Sequence, residues 1–323
     1  MAVIVTGGAG FVGSHLVDRL SATEKNVIVM DDLSSGRIAN LESALSSGRA
    51  TFVYADIAQG ADRLRDDVRA ATTERITEIY HLASPASPEA YGAHPWETLS
   101  VNAIGTMSLI EIALEQQATL LFASTSEVYG DPAINPQPET YFGNVNPIGP
   151  RACYDEGKRF GEAAMSVASS VRGLNGRIVR LFNCYGPRMQ LDDGRLIPSL
   201  IDAIMKNQPL PIHGSGEQTR SLTYVDDIVE GLIHVARMPM TRLLPVNLGN
   251  DEELSVLALA QMVCSVAGVP FASAQLPARP EDPQKRRPEL SRARSFGWQP
   301  TTSVEDGLRK TYEWFMATAL AYA

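Results

Sequence analysis

Short apolar runs alternate with stretches of helical period through the first 180 or so residues. Ala2–Thr6, Val27–Met30, Thr51–Tyr54, Glu78–His81, Leu120–Ala123 and Arg177–Leu181 are short and rich in Val, Ile and Leu. Runs of that kind read as strands covered on both faces, as in a parallel sheet. Between them Phe11–Leu20, Trp96–Gln116 and Tyr154–Val171 carry apolar residues at helical spacing. Alternation of strand and helix predicts an α/β fold, a doubly wound parallel sheet with crossover helices. After about Arg180 the pattern loosens, and Pro187, Pro198, Pro209, Pro211, Pro245, Pro277, Pro280, Pro283, Pro288 and Pro300 punctuate short elements. This composition predicts a smaller, loop-rich C-terminal lobe laid over the carboxyl edge of the sheet.

The chain has 323 residues, enough for one large core or two unequal ones. Hydrophobic content of 44% and charged content of 20% are those of an ordinary globular protein. A net charge of −9 gives no general basic surface and argues against nucleic acid as a partner. Anionic ligands then have to be met by local devices, such as helix N-termini and single arginines. Cys153, Cys184 and Cys264 are isolated and show no metal-ligand spacing, a pattern expected of buried thiols in a cytoplasmic protein. No metal site is expected. No apolar run approaches the ~20 residues of a membrane span, and no basic leader precedes the first strand.

Gly7-Gly8-Ala9-Gly10-Phe11-Val12-Gly13 follows the first strand and opens a helix. Glycines at 7, 10 and 13 permit a tight turn, close approach of backbone to a pyrophosphate, and close helix–strand packing. The helix N-terminus adds oriented N–H groups and partial positive charge. Asp31 ends the next strand 18 residues beyond Gly13. A carboxylate there accepts from ribose hydroxyls and repels a 2′-phosphate, which favours NAD over NADP. Asp32 could share that role, and Arg37 is the residue that could instead meet a 2′-phosphate. Asp56 follows the third strand, where it could bond the adenine amine or simply cap a helix. These features predict a Rossmann-type NAD-binding domain over residues 1–180, with parts of the later chain returning to it. Residues 181–323 are expected to form mainly the substrate-binding lobe.

Tyr154 and Lys158 lie four apart on a helical stretch and so share a face. A free tyrosine, with a pKa of about 10, is a poor base at neutral pH. A neighbouring ammonium favours the phenolate, and the same lysine can hold a nicotinamide ribose. Tyr-x-x-x-Lys is frequent in amphipathic helices that catalyse nothing. Here it follows a nucleotide motif and the triplet Ser124-Thr125-Ser126, which strengthens the catalytic reading.

With these motifs the chain resembles the extended short-chain dehydrogenase/reductases from end to end. The resemblance also rests on Val101–Thr106, Phe182-Asn183-Cys184-Tyr185-Gly186-Pro187-Arg188 and Phe296-Gly297-Trp298-Gln299-Pro300. Four longer runs resemble the UDP-glucuronate decarboxylases in particular: His81–Pro88, Ser124–Asp131, Asn146–Arg159 and Asp282–Pro288. The resemblance implies NAD-dependent oxidation at C4 of the sugar, loss of the C6 carboxylate as CO2, and reduction of the 4-keto intermediate to UDP-xylose, with possible release of that intermediate. It assigns Tyr154, Lys158, Thr125, Ser126, Glu127 and Arg286 to catalysis, with Glu127 and Arg286 near the leaving carboxylate. Glu127 is implied to orient or desolvate that carboxylate and to relay a proton to C5. Contacts to NAD are implied for Gly7, Gly10, Phe11, Val12, Gly13, Asp31, Asp32, Ser35, Gly36, Asp56, Ile57, Leu82, Ala83 and Asn102, besides Tyr154 and Lys158. Contacts to the UDP-sugar are implied for Glu89, Tyr91, Asn183, Arg188, Arg220, Tyr224 and Arg286.

Relatives that dehydrate sugars carry Thr-Asp-Glu where this chain has Thr125-Ser126-Glu127, so the acid for that step is absent. In 4-epimerases the position of Glu127 is usually small or apolar. A UDP-sugar 4-epimerase and, more distantly, a non-catalytic NAD-binding module remain the alternatives. Cys184 and Asp32 depart slightly from the decarboxylase pattern and remove no needed group. Trp96–Gln116 and Tyr154–Val171 carry apolar residues beyond one face, which packing within the chain would also explain; the resemblance implies that these helices pair across a two-fold axis, giving a homodimer.

Overall fold

A computed structural model describes residues 1–24, 26–278 and 285–321. The segment Asp282–Gln284, part of one run that carried the decarboxylase resemblance, lies outside the described residues. Seven strands form the central sheet: β1 Ala2–Thr6, β2 Val27–Asp31, β3 Ala50–Tyr54, β4 Ile76–His81, β5 Thr119–Thr125, β6 Gly176–Leu181 and β7 Pro245–Leu248. Their order is β7-β6-β5-β4-β1-β2-β3 and every pairing is parallel. Successive side chains alternate between two buried layers. Val3, Val5, Val27, Val29, Leu121 and Ala123 join one core, while Ala2, Ile4, Ile28, Met30, Leu120 and Phe122 join the other. That double burial explains why the strands read as continuous apolar runs.

The seventh strand has no counterpart in the sequence reading. It is four residues long, begins with Pro245, and occupies the sheet edge beside β6. Proline donates no ladder hydrogen bond, so its presence argued against a strand, and only an edge tolerates it.

The helices that position the site are α1 Phe11–Thr23, α2 Pro95–Ser100, α3 Thr106–Gln116, α4 Ala152–Arg172 and α5 Val225–Arg237. The stretch expected as one helix from Trp96 to Gln116 is interrupted by a π-helical turn over Val101–Gly105. Buried polar side chains there bond to backbone: Asn102 Nδ2 donates to Thr98 O at 2.8 Å and Thr106 Oγ1 to Asn102 O at 2.6 Å. Such bonds compete with the regular ladder and widen it locally.

The later chain closes over one face of the sheet, and its apolar residues, among them Ile197, Leu200, Leu222 and Val256, are continuous with that core. The closing motif is structural. Trp298 Nε1 donates to Asp227 O, and the Asp227 carboxylate, near the start of α5, accepts from the backbone N–H groups of Thr301 and Thr302. Among the described residues no helix is long and apolar enough to cross a membrane.

Candidate active site

Chain order and strand order part company at β1, which lies between β2 and β4. The connections from β1 and β4 therefore leave the sheet in opposite directions, and a crevice opens beyond their carboxyl ends. A cavity of about 1050 Å³ fills it and extends under the later lobe.

The dinucleotide end is built from backbone. Gly7 has φ +71°, and a Cβ there would stand 2.6 Å from Ala83 N. A Cβ on Gly13 would stand 2.1 Å from Gly7 O. Any side chain at either position would fill the cradle or force β1 and α1 apart. Gly10, the N-cap of α1, supplies no side-chain acceptor, so the first N–H groups of the helix remain available to an anion. Asp31 Oδ2 accepts from Ala9 N at 2.9 Å and Oδ1 from Leu33 N at 2.8 Å. These bonds fix the carboxylate at the cavity wall, where Asp32, Ser35, Asp56, Ile57, Leu82 and Ala83 also lie. Asp56 caps the turn Ile57–Gln59 through Ala58 N and also lines the cavity. The uncapped helix, the glycine cradle and the fixed carboxylate fit NAD.

The reacting end lies where β5 and α4 converge. Thr125 ends β5, and its Oγ1 accepts from Glu127 N at 3.2 Å, which turns the chain sharply over Ser126–Tyr129. Tyr154 stacks on Tyr91, with ring centroids 5.2 Å apart and planes 11° apart, and Thr125 lies beside it on the cavity wall. One turn on, Lys158 donates to Ala123 O at 2.8 Å, and its Nζ lies 5.9 Å from the Tyr154 ring centroid. Burial pulls the lysine down to about 7. Burial also pushes the Tyr154 phenol up, with Thr125 opposing, and the negative charge of Glu127 pushes it further. In the protein alone desolvation therefore outweighs the activation expected of an adjacent ammonium.

Glu127 stands between two guanidiniums. Its Oε2 accepts from Arg151 Nη2 at 2.6 Å and its Oε1 from Arg286 Nη1 at 2.6 Å. Burial works to raise this carboxyl, but Arg286 and Arg151 together hold it below the usual range. An ionised Glu127 is suited to orienting charge rather than to carrying a proton. Arg286 Nη1 also reaches Asn183 Oδ1 at 3.4 Å, while its buried Nη2 has no partner among the described residues. Behind this cluster Asp155, the residue after Tyr154, is pushed up to about 7 by burial and then by Glu127, with Arg151 and Arg286 opposing.

The structure brings most of the expected residues to one cavity. Tyr91, Asn183, Arg188, Arg220 and Arg286 line it together with Thr125, Ser126, Glu127, Tyr154 and Lys158. Arg188 takes a left-handed backbone, φ 68°, and pairs with Asp18 of α1 at 2.6 Å, which ties the later lobe to the dinucleotide helix.

Four expected contacts stand outside the lining. Gly36 packs behind it against Ala9 and Asp31. Asn102 is fully buried and braces the loop after β4 through Ser84 Oγ at 2.9 Å. Glu89 turns aside and packs at Gly194. Tyr224 is buried edge-on to Tyr185, with Lys310 over its ring. These four stand beside or behind the cavity, and the buried Oδ1 of Asn102 has no partner among the described residues.

Two lining arginines were missed. Arg151 lies three before Tyr154, a spacing that puts it on the same helical face and that could have revealed it. Arg195 reaches the cavity from a loop and sits 5.6 Å over the Phe11 ring, and no local signal marked it.

Comparison with known proteins places this geometry. Residues 3–249 match the NAD dependent epimerase/dehydratase family. A UDP-glucuronic acid decarboxylase 1 from Danio rerio is 42% identical over 314 residues, covering 97% of this chain and 72% of that protein. Among solved structures, a UDP-glucose 4-epimerase with UDP-glucose from Thermotoga maritima has a TM-score of 0.88 at 28% identity, covering 99% of this chain and 100% of that one. A mutant UDP-glucuronic acid 4-epimerase from Bacillus cereus, in complex with UDP-4-deoxy-4-fluoro-glucuronic acid and NAD, has a TM-score of 0.84 at 26% identity, covering 98% of this chain and 100% of that one. Fold, cavity and sequence agree: the chain belongs to the NAD dependent epimerase/dehydratase family, on its UDP-glucuronic acid decarboxylase branch.

Proposed function

We propose that this protein decarboxylates UDP-glucuronate to UDP-xylose through a UDP-4-keto-pentose. The observation that carries the reading is the convergence of Arg151 and Arg286 on one carboxylate beside the Thr125–Tyr154 pair. A donor set made for a carboxylate stands next to the group that handles the C4 hydroxyl.

NAD, when bound, supplies the oxidising and then the reducing equivalent at C4. Gly7–Gly13 take its pyrophosphate, Asp31 its adenosine ribose and Lys158 its nicotinamide ribose. Tyr154 accepts the C4 hydroxyl proton. Burial holds the phenol high and Lys158 at about 7, so each group resists its own charge, and the phenolate is favoured when Lys158 beside it carries the ammonium charge. Oxidation leaves the C6 carboxylate β to a ketone. The C5–C6 bond then breaks, its electrons pass to the C4 oxygen, and Tyr154 and Thr125 hydrogen-bond the resulting enolate. Arg151 and Arg286 orient the carboxylate before it leaves, and ionised Glu127 offsets their charge once CO2 is gone. C5 takes its proton from solvent, and reduction at C4, with Tyr154 returning its proton to the C4 oxygen, completes the pentose. Arg220 and Asn183 are placed to meet the nucleotide-diphosphate, for which a planar forked donor is suited.

A uronate 4-epimerase is the competing reading, since one shares this fold. Incubation with UDP-glucuronate and NAD separates them. The decarboxylase releases CO2 and a UDP-pentose or its 4-ketone, whereas the epimerase leaves the mass unchanged.

The proposal extends to a cytoplasmic homodimer. Ile104, Met107, Phe160, Val167 and Val171 form an exposed apolar group on α3, α4 and the turn before α3. A second copy of the same helices would cover it, giving a two-fold bundle. Light scattering at working concentration is expected to return twice the chain mass, and a monomer mass would end this part of the proposal. The unpaired state of all three cysteines supports the cytoplasmic placement.

A further inference from the structure

Arg286 reaches Glu127 from far along the chain, 159 residues away, on a segment without regular structure of its own. What holds that segment is a single residue of the loop after β5. Gln137 N donates to Arg287 O at 2.8 Å, and Gln137 O accepts from Glu289 N at 3.0 Å, a one-residue parallel bridge. The side chain completes the clasp, with Oε1 accepting from Arg287 N at 2.9 Å. Its amide is locked in turn, because Nε2 donates to Ile134 O at 2.8 Å and Asn135 Oδ1 at 3.3 Å. Asn247 Nδ2, at the end of β7 nearest the site, ties Gln137 O and Glu289 O together at 2.9 and 3.2 Å. Gln137 is 1% exposed and does not line the cavity.

We propose that Gln137 is a positioning residue for decarboxylation: it clasps the backbone beside Arg286 so that this guanidinium meets the C6 carboxylate and Glu127. The inference rests on the decarboxylase reading. Only the C6 step uses Arg286, whereas oxidation at C4 uses Tyr154, Thr125 and Lys158, which stand on β5 and α4. A side-chain change at Gln137 should therefore separate two steps that a general loss of structure would impair together.

The test uses the NAD-loaded enzyme and UDP-glucuronate in single turnover, following NADH absorbance for C4 oxidation and labelled CO2 for the C6 step. Gln137→Leu removes the acceptor for Arg287 N. Gln137→Asn keeps the amide but shortens its reach and carries the same test should Leu prevent folding. Leu or Asn is expected to slow CO2 release by ~5–30-fold, the worth of one buried hydrogen bond, while NADH forms within about twofold of the wild-type rate. On an Arg286→Ala background, Gln137→Leu is expected to slow CO2 release no further. Equal loss of both steps, unchanged CO2 release, or additive loss on the Arg286→Ala background would each overturn the positioning role. If the wild-type enzyme releases no CO2, the decarboxylase reading itself has failed, a result distinct from any of these.

Discussion

Replacing Arg151 by methionine probes the cluster that distinguishes this site. Methionine keeps much of the stem's volume and removes the guanidinium. Glu127 would then keep one of its two 2.6 Å charge-assisted bonds while remaining buried. A hydrogen bond to a charged group is worth about 1.5–3 kcal/mol, which corresponds to roughly 10–100-fold in rate if the bond is needed in the transition state. Burial now works on Glu127 with only Arg286 as its principal opponent, so its proton affinity rises. The carboxyl is depressed in the wild type, and activity that needs it ionised is lost as pH falls through its pKa. In Arg151→Met that loss must begin at higher pH. The assay is CO2 release from UDP-glucuronate across an acid-to-neutral series, with NADH formation followed in parallel. Expected are a slower C6 step, a C4 step much less affected, and an acid limb displaced upward. A variant with wild-type CO2 release and an unmoved acid limb would refute the role of the paired guanidiniums.

Three other consequences are direct. Gly13→Ala places a methyl 2.1 Å from Gly7 O, so NAD affinity should fall by more than ~100-fold in calorimetry, with a stability loss of about 2 kcal/mol or more. Asp31→Ala leaves Ala9 N and Leu33 N without their acceptor, and NAD binding should weaken ~10–100-fold while discrimination against NADP relaxes. Asp155 has its folded pKa raised to about 7, above the unfolded value near 3.9, so the folded state binds more protons between those limits and stability falls as pH rises through them. Asp155→Asn should flatten that fall and gain about 1–2 kcal/mol at pH 8 in urea titrations; an unchanged slope would show that the carboxyl is not buried in its acid form.

The sequence carried the sheet because β1, β2, β4, β5 and β6 are largely buried on both faces, and double burial writes itself as unbroken apolar runs. It did not carry β7, where Pro245 hides a strand that only an edge permits. The π-turn before α3 was equally silent, since its cause is a set of polar contacts made by Asn102 and Thr106 only after folding. Gly7, Gly13 and Asp31 were legible because their chemistry is local and fixed in spacing. Arg286 could be placed by resemblance alone, because nothing near position 286 reveals that Gln137 and Glu127 will meet it. Tyr224, Asn102, Glu89 and Gly36 mark the opposite limit, where a residue in a recognisable motif stands outside the cavity lining.

The central claim is that this cavity oxidises C4 in order to release C6. UDP-glucuronate labelled at C6, added with NAD to the protein, tests it most directly. The account predicts label released as CO2 with formation of a UDP-pentose or its 4-ketone, and both lost in Tyr154→Phe. Label retained in a UDP-sugar of unchanged mass and inverted C4 would contradict it and leave an epimerase.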